Sequence, residues 1–188
     1  MKILLLAIFL SSEIGAATTE LPPPSEWERA NRETRRLDPA RVDGVPAWLV
    51  TELKRRRCLV PQSFSTMRPH NVIRGRLNDG PVVDWAVLCS KDLSSTILVF
   101  WDGKVNAVAE LAPKPDETYL QVIGSGRIGF SRAIHIATPT DVRRYQQTFG
   151  GPRLSPLSHE GIHDAFVEKA SIVWYWHHGK WLKLQGAD

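Results

Sequence analysis

A pair of histidines at zinc-binding spacing is the feature of this sequence that most directly suggests chemistry. Residues 159–163 read His-Glu-Gly-Ile-His. On a helix, His159 and His163 would share one face and could bind one zinc ion, while Glu160 activated its water. Gly161 opposes a helix there, because glycine lowers helix stability. Two hypotheses stay open: a zinc-dependent hydrolase that uses these three residues, or a turn without catalytic or metal-binding function, which we favour.

Three tryptophans near the end of the chain form a second candidate site. Two apolar runs, Ile172 to Trp176 and Trp181 to Leu184, flank a four-residue turn and predict a hairpin. In that register Trp176 faces Trp181, and alternation places Trp174 on the same side. Indole rings on one face could stack on a sugar or on a partner, or they could lock the hairpin and cover the core. We take Trp174, Trp176 and Trp181 as the candidate ligand-binding residues, with both readings open.

A glycine-rich segment at residues 124–129 has the spacing of a dinucleotide-binding loop. That loop requires a helix after its last glycine, whereas residues 130–137 alternate as a strand does. We therefore predict a hairpin loop here and no nucleotide cofactor.

The surrounding pattern predicts an α+β fold that is mainly antiparallel sheet built from hairpins, with two or three short peripheral helices. Helices are expected at residues 26–36, 46–57 and 139–149, the last capped by Thr138. Strands are expected at residues 82–89, 96–101, 105–111, 119–123, 130–137, 172–176 and 181–184. Asp102-Gly103 is typical of a tight type I′ hairpin turn between two of them.

Two stretches of the chain resemble each other. Asp79-Gly80, Asp84 to Leu88 and Asp102-Gly103-Lys104 correspond to Glu160-Gly161, Asp164 to Val167 and His178-Gly179-Lys180. Each copy predicts an acidic-Gly turn, two strands, a Gly-Lys turn and a third strand. This order indicates a repeated, blade-like β unit.

The first copy resembles the FG-GAP (VCBS-type) repeat through Asn78-Asp79-Gly80 followed by Asp84-Trp85-Ala86-Val87. The resemblance implies propeller-type blades and a calcium-binding loop, as in extracellular adhesion proteins. Arg76 occupies the place of the loop's first aspartate and one loop residue is missing, which argues against calcium here. The chain also resembles a group of exported bacterial proteins through Lys169-Ala170-Ser171, Tyr175, Gly179-Lys180-Trp181 and Ala187-Asp188.

The first residues predict export. Met1-Lys2, the apolar run Ile3 to Leu10 and the small residues Gly15-Ala16-Ala17 form a signal peptide over 1–17. We expect a Pro- and charge-rich lead at 18–44, a single globular domain at 45–188, no later membrane span, and a periplasmic or secreted protein. In an oxidising compartment the two cysteines, Cys58 and Cys89, are expected to form a disulfide.

Composition narrows the function classes. With 188 residues, 43% hydrophobic and 23% charged, the chain suits one ordinary globular domain. Lys54 to Arg57 is a basic run that could attract an anionic surface, but a net charge of +4 is weak, and we favour a solvated helix end. Export disfavours nucleic acid. We therefore predict a non-catalytic binding or interaction protein without a cofactor, its partner an envelope or extracellular molecule or a glycan.

Overall fold

The computed structural model describes residues 24–152 and 154–187, so the predicted signal peptide at 1–17 lies outside the described residues. Within them the fold is α+β and mainly antiparallel sheet, as the sequence predicts, and it contains three α-helices and twelve strands. The elements in chain order are α1 (Glu26–Glu33), β1 (Arg36–Leu37), α2 (Ala47–Arg55), β2 (Val60–Pro61), β3 (Val72–Gly75), β4 (Asp84–Lys91), β5 (Ser94–Phe100), β6 (Val108–Pro115), β7 (Leu120–Val122), β8 (Ile128–Phe130), β9 (Arg132–Ala137), α3 (Pro139–Phe149), β10 (Gly161–Phe166), β11 (Ala170–His177) and β12 (Lys180–Gly186).

Two four-stranded antiparallel meanders form the body of the protein. The first sheet has the order β3-β4-β5-β6 and the second has the order β9-β10-β11-β12. Asp84 is the first residue of β4, the second strand of the first sheet, and Asp164 lies within β10, the second strand of the other sheet. The two stretches that resemble each other in sequence thus occupy equivalent strands of two similar sheets.

The two sheets are the central layers of a four-layer packing. Alternation along β5 sends Leu98 and Phe100 toward α2, and Ile97 and Val99 toward the second sheet. Beyond the second sheet, Val173 of β11 packs with side chains of α3. The order is therefore α2, first sheet, second sheet, α3, with an apolar core at each of the three junctions.

Local sequence signals explain the longest helix. The Thr138 hydroxyl accepts the backbone N–H of Asp141 at 3.2 Å, and Asp141 Oδ2 accepts the N–H of Thr138 at 3.0 Å, which completes a capping box. Pro139 occupies the first turn, where its missing N–H costs nothing. The helix begins and ends where the sequence predicts.

The segment predicted as a lead contributes to the fold from Glu26 onward. Leu37 and Val42 are buried in the core beneath α2, and β1 pairs with β2. Arg36 donates to Asp116 at 2.7 Å, and Asp116 is fully buried. These contacts place residues 26–44 on the same structural unit as the rest of the domain. No helix among the described residues is long and apolar enough to span a membrane.

Candidate functional site

A groove of about 550 Å³ lies between α1, residues 62–67 and the β7–β8 hairpin. We call it the α1 groove. Helix α1 presents one face to it, because Glu26, Arg29, Ala30 and Glu33 recur at intervals of three and four residues. The groove therefore combines three segments that are far apart in the sequence.

Apolar side chains line much of the α1 groove and charges surround them. Phe64, Ile123 and Ile128 are half-buried in the lining, whereas Met67 is 84% exposed. The charged lining residues come from α1, from the residues just after it and from the β7–β8 hairpin: Arg29, Arg35, Arg127, Glu26 and Glu33. An apolar surface with a few convergent polar groups is the usual composition of a ligand site.

Gly129 allows the β7–β8 hairpin to pack closely against the 62–67 segment. A Cβ there would lie 2.8 Å from Ile123 Cδ1 and 3.3 Å from Phe64 Cβ. The N–H of Phe64 donates to the Phe130 carbonyl at 2.8 Å, which joins the 62–67 segment to β8. Residues 124–126 form the turn between β7 and β8, so the glycine-rich segment is a hairpin loop, as expected.

His70 holds the 62–67 wall in shape. Its Nε2 lies 3.0 Å from the backbone nitrogen of Ser63 and 2.9 Å from Ser63 Oγ, and its Nδ1 lies 3.0 Å from the Arg68 carbonyl. Because a backbone N–H can only donate, Nε2 is the acceptor and Nδ1 carries the proton, so the ring is neutral. Burial lowers the pKa of His70, the carbonyl of Arg68 opposes this shift, and the charge of Arg35 adds to it.

Ser63 and His70 also have the separation of a nucleophile and its base. Ser63 is only 3% exposed, however, and its own N–H shares the same imidazole nitrogen. The Gln62 side chain closes the same turn by donating to the His70 carbonyl at 3.1 Å and accepting the His70 N–H at 2.9 Å. This arrangement is that of a structural clamp.

Two rings of the predicted tryptophan face, Trp176 and Trp181, pack against each other and against a further tryptophan, Trp101. Trp176 pairs with Trp181 across the β11–β12 hairpin, which confirms the predicted register. Trp101, from the turn after β5, contacts both rings, with centroids 5.0 Å from Trp176 and 5.4 Å from Trp181. Trp174 packs in the core between the sheets, and its Nε1 donates to Asp164 at 3.4 Å. All four indoles are half-buried, at the junction of the two sheets.

The His-Glu-x-x-His segment is extended. Glu160 precedes β10, and His163 lies within it, so the helix that the zinc hypothesis requires is absent. The two imidazoles have separate partners. His159 stacks on Tyr175 at 4.3 Å, whereas His163 Nε2 lies 2.6 Å from Ser171 Oγ.

Glu160 links the two sheets. Its Oε2 accepts the N–H of Arg76 at 2.8 Å, and its own N–H donates to the Arg76 carbonyl at 2.7 Å. No group of three or more His, Cys, Asp or Glu side chains suited to a metal ion occurs within 24–152 and 154–187.

The oxygens of the loop that resembles a calcium site make bonds within the protein. Asn78 Oδ1 accepts the N–H of Gly80, and Asp79 accepts the hydroxyl of Ser158. Asp84 accepts the N–H groups of Leu77 at 3.0 Å and Asp102 at 2.9 Å. Burial raises the pKa of Asp84, although both of these bonds oppose the shift. Asp84 therefore joins this loop to the turn after β5.

The two cysteines are joined as predicted. Cys58 and Cys89 form a disulfide with a Cα–Cα distance of 5.3 Å, and the bond connects the end of α2 to β4.

The sequence patterns did not identify the α1 groove, His70 or Trp101. The groove depends on contacts between distant segments, and His70 has no partner at a recognisable spacing. Trp101 immediately precedes the Asp102-Gly103 turn of the first repeat copy. A search for aromatic residues beside the turns of both copies could therefore have found it. Comparisons with protein-family models, curated proteins and solved structures found no match for this chain.

Proposed function

We propose that this protein is an exported, non-catalytic binding protein that receives part of an envelope or extracellular partner in the α1 groove. The observation that carries the proposal is the groove itself. Its volume of about 550 Å³ is within the range of roughly 300–1,000 Å³ that is common for ligand sites. The predicted signal peptide and the Cys58–Cys89 disulfide support export.

The lining favours a polypeptide segment that carries both apolar and acidic groups. Phe64, Ile123 and Ile128 would contact apolar side chains, and the exposed Met67 can adapt its shape to them. The groove lining contains three arginines and two glutamates, so the excess positive charge would attract a carboxylate. The tryptophans contact one another and the inter-sheet core, so we place the partner in the groove and not on the hairpin.

Affinity capture with groove variants tests this proposal. The parent protein, fixed on a resin through its C-terminus, should retain a partner from an extract of the native envelope. Met67→Glu with Arg127→Glu should lose that partner, because the pair introduces two negative charges and removes a positive one. Val82→Glu is the matched control, since Val82 is 46% exposed and outside the groove.

The proposal is contradicted if the groove variant retains the partner as well as the parent and the control do. Circular dichroism of each variant separates loss of binding from loss of fold. The zinc-hydrolase alternative needed a helix through residues 159–163, and no observation on the described residues favours it.

A further inference from the structure

A second cleft, of about 440 Å³, lies where α2 ends above the first sheet. We call it the basic cleft. Its floor continues the sheet face that α2 covers: Cys89 and Lys91 alternate along β4, and Ser94, Thr96 and Leu98 alternate along β5. Past the end of the helix this face changes from apolar to polar. It shares no lining residue with the α1 groove.

Positive charge exceeds negative charge in the basic cleft. Arg55 and Arg56 both donate to Glu52 Oε1, at 2.8 Å and 2.7 Å. The pKa of Glu52 is lowered to about 2, and the main cause is its hydrogen bonding with Arg55. Arg56 also lies 3.7 Å from Glu110. These pairs use both nearby carboxylates.

Two cations of the basic cleft remain without a carboxylate. Among the described residues, neither Arg57 nor Lys91 forms an ion pair, and both are exposed. The lining therefore has four cations and one carboxylate, Glu110, and the two unpaired cations come from the end of α2 and from the floor.

The backbone at Arg57 is unusual for its residue type. Arg57 has φ 59°, the left-handed conformation that helix ends normally reserve for glycine. Its neighbour Cys58 is joined to Cys89 in the floor, which fixes the arginine beside the cleft. An arginine held in this conformation costs stability that glycine would not, so its side chain is a candidate for a functional role.

We propose that the basic cleft binds a phosphate group, held by Arg57 and Lys91 together with the hydroxyl of Thr96, whereas the Ser94 hydroxyl donates to the Lys114 carbonyl at 3.1 Å. Lys91 lies directly opposite Ser94 in the β4–β5 ladder, and Cys89 lies opposite Thr96, so the polar groups of the floor are adjacent. Guanidinium, ammonium and hydroxyl donors are the groups that recognise phosphate oxygens.

Thermal melting in inorganic phosphate tests this site on the whole mature protein. Phosphate should raise the melting temperature of the parent in a saturable way, beyond the effect of chloride at equal ionic strength. Arg57→Gly with Lys91→Ala should lose this rise. Arg41→Ala with Lys183→Ala removes two exposed cations elsewhere and should keep it.

The glycine variant separates binding from folding. Because glycine adopts the left-handed conformation without strain, Arg57→Gly alone should melt at or above the parent's temperature without phosphate. The proposal is overturned if phosphate stabilises Arg57→Gly/Lys91→Ala as much as the parent, or if the parent responds equally to chloride.

Vesicles distinguish the source of the phosphate. Co-sedimentation of the parent, but not of the double variant, with phosphatidylglycerol vesicles would assign the site to a lipid headgroup. A saturable effect of inorganic phosphate without co-sedimentation would assign it to a soluble phosphate compound. Equal sedimentation of the parent and the double variant would contradict the site.

Discussion

Arg132 and Asp164 form a two-point ion pair in the interior, with Nε and Nη2 of the arginine each 2.9 Å from a carboxylate oxygen. Arg132 has no exposed surface. Its other donors reach across to the first sheet, where the carbonyls of Ser95 and Ala112 accept at 3.1 Å and 3.0 Å. The guanidinium therefore joins the two sheets while all of its N–H groups are satisfied.

Removing one partner of this pair should be costly. Asp164→Asn leaves a buried, uncompensated arginine, and we expect a loss of about 3–5 kcal/mol in the free energy of unfolding, measured by urea denaturation. Arg144→Ala removes the exposed pair with Asp141 and should change stability by less than about 1 kcal/mol. Similar losses for the two variants would contradict the role of Arg132 as a link between sheets.

The aspartates at equivalent repeat positions show how far sequence comparison reaches. Asp84 and Asp164 lie on corresponding strands of two similar sheets, as the repeat predicts, although each sheet has one more strand before them that the repeat did not include. It did not predict their partners, because Asp84 binds backbone N–H groups of nearby turns and Asp164 binds Arg132. Such partners depend on tertiary packing, which has no local signature.

The turn at Asp102-Gly103 is a second instructive case. Both residues have positive φ, 53° and 67°, as the type I′ signature predicts. The prediction of a tight hairpin with a strand from residue 105 was nevertheless wrong, since β6 begins at Val108. The Trp101 N–H still donates to the Ala107 carbonyl at 3.0 Å, so residues 102–106 form a longer connection than a two-residue turn, while the Trp101 indole packs on Trp176 and Trp181.

The disulfide should carry a large part of the stability. It joins residues 31 positions apart, and loop-closure entropy gives a contribution of roughly 3–4 kcal/mol. Cys58→Ala with Cys89→Ala should lose about that amount in urea denaturation. Mass spectrometry after alkylation without reductant checks the bond itself, and two free thiols in the folded protein would contradict it.

Trp181 is expected to act mainly through packing. Trp181→Ala should cost about 2–4 kcal/mol, because the ring stacks on Trp101 in a half-buried cluster. Trp181→Phe should cost about 1 kcal/mol or less, since the indole N–H is buried and has no partner within the described residues. Trp27→Ala is the control, because Trp27 is 45% exposed. A loss of partner binding with unchanged stability in Trp181→Ala would move the binding site to the hairpin.

His70 should make stability depend on pH. Its pKa is lowered below the ordinary value of 6.5, so the unfolded chain binds the proton more readily. The contribution of neutral His70 to the free energy of unfolding is then complete above about pH 6.5, and it is lost as pH falls through the pKa that His70 has in the folded state. His70→Gln keeps an acceptor but does not titrate, and it should flatten this part of the profile from pH 7 to pH 5, measured by urea denaturation. His178→Gln is the control, and unchanged profiles in both variants would contradict the clamp.

Hydrogen exchange on the partner-bound protein tests the central claim most directly. The captured complex and the free protein would be compared peptide by peptide by mass spectrometry. If the α1 groove is the binding site, exchange should slow together in α1, in residues 62–67 and in the β7–β8 hairpin, and stay unchanged in the β11–β12 hairpin. Protection confined to the β11–β12 hairpin, with none around the groove, would contradict the account.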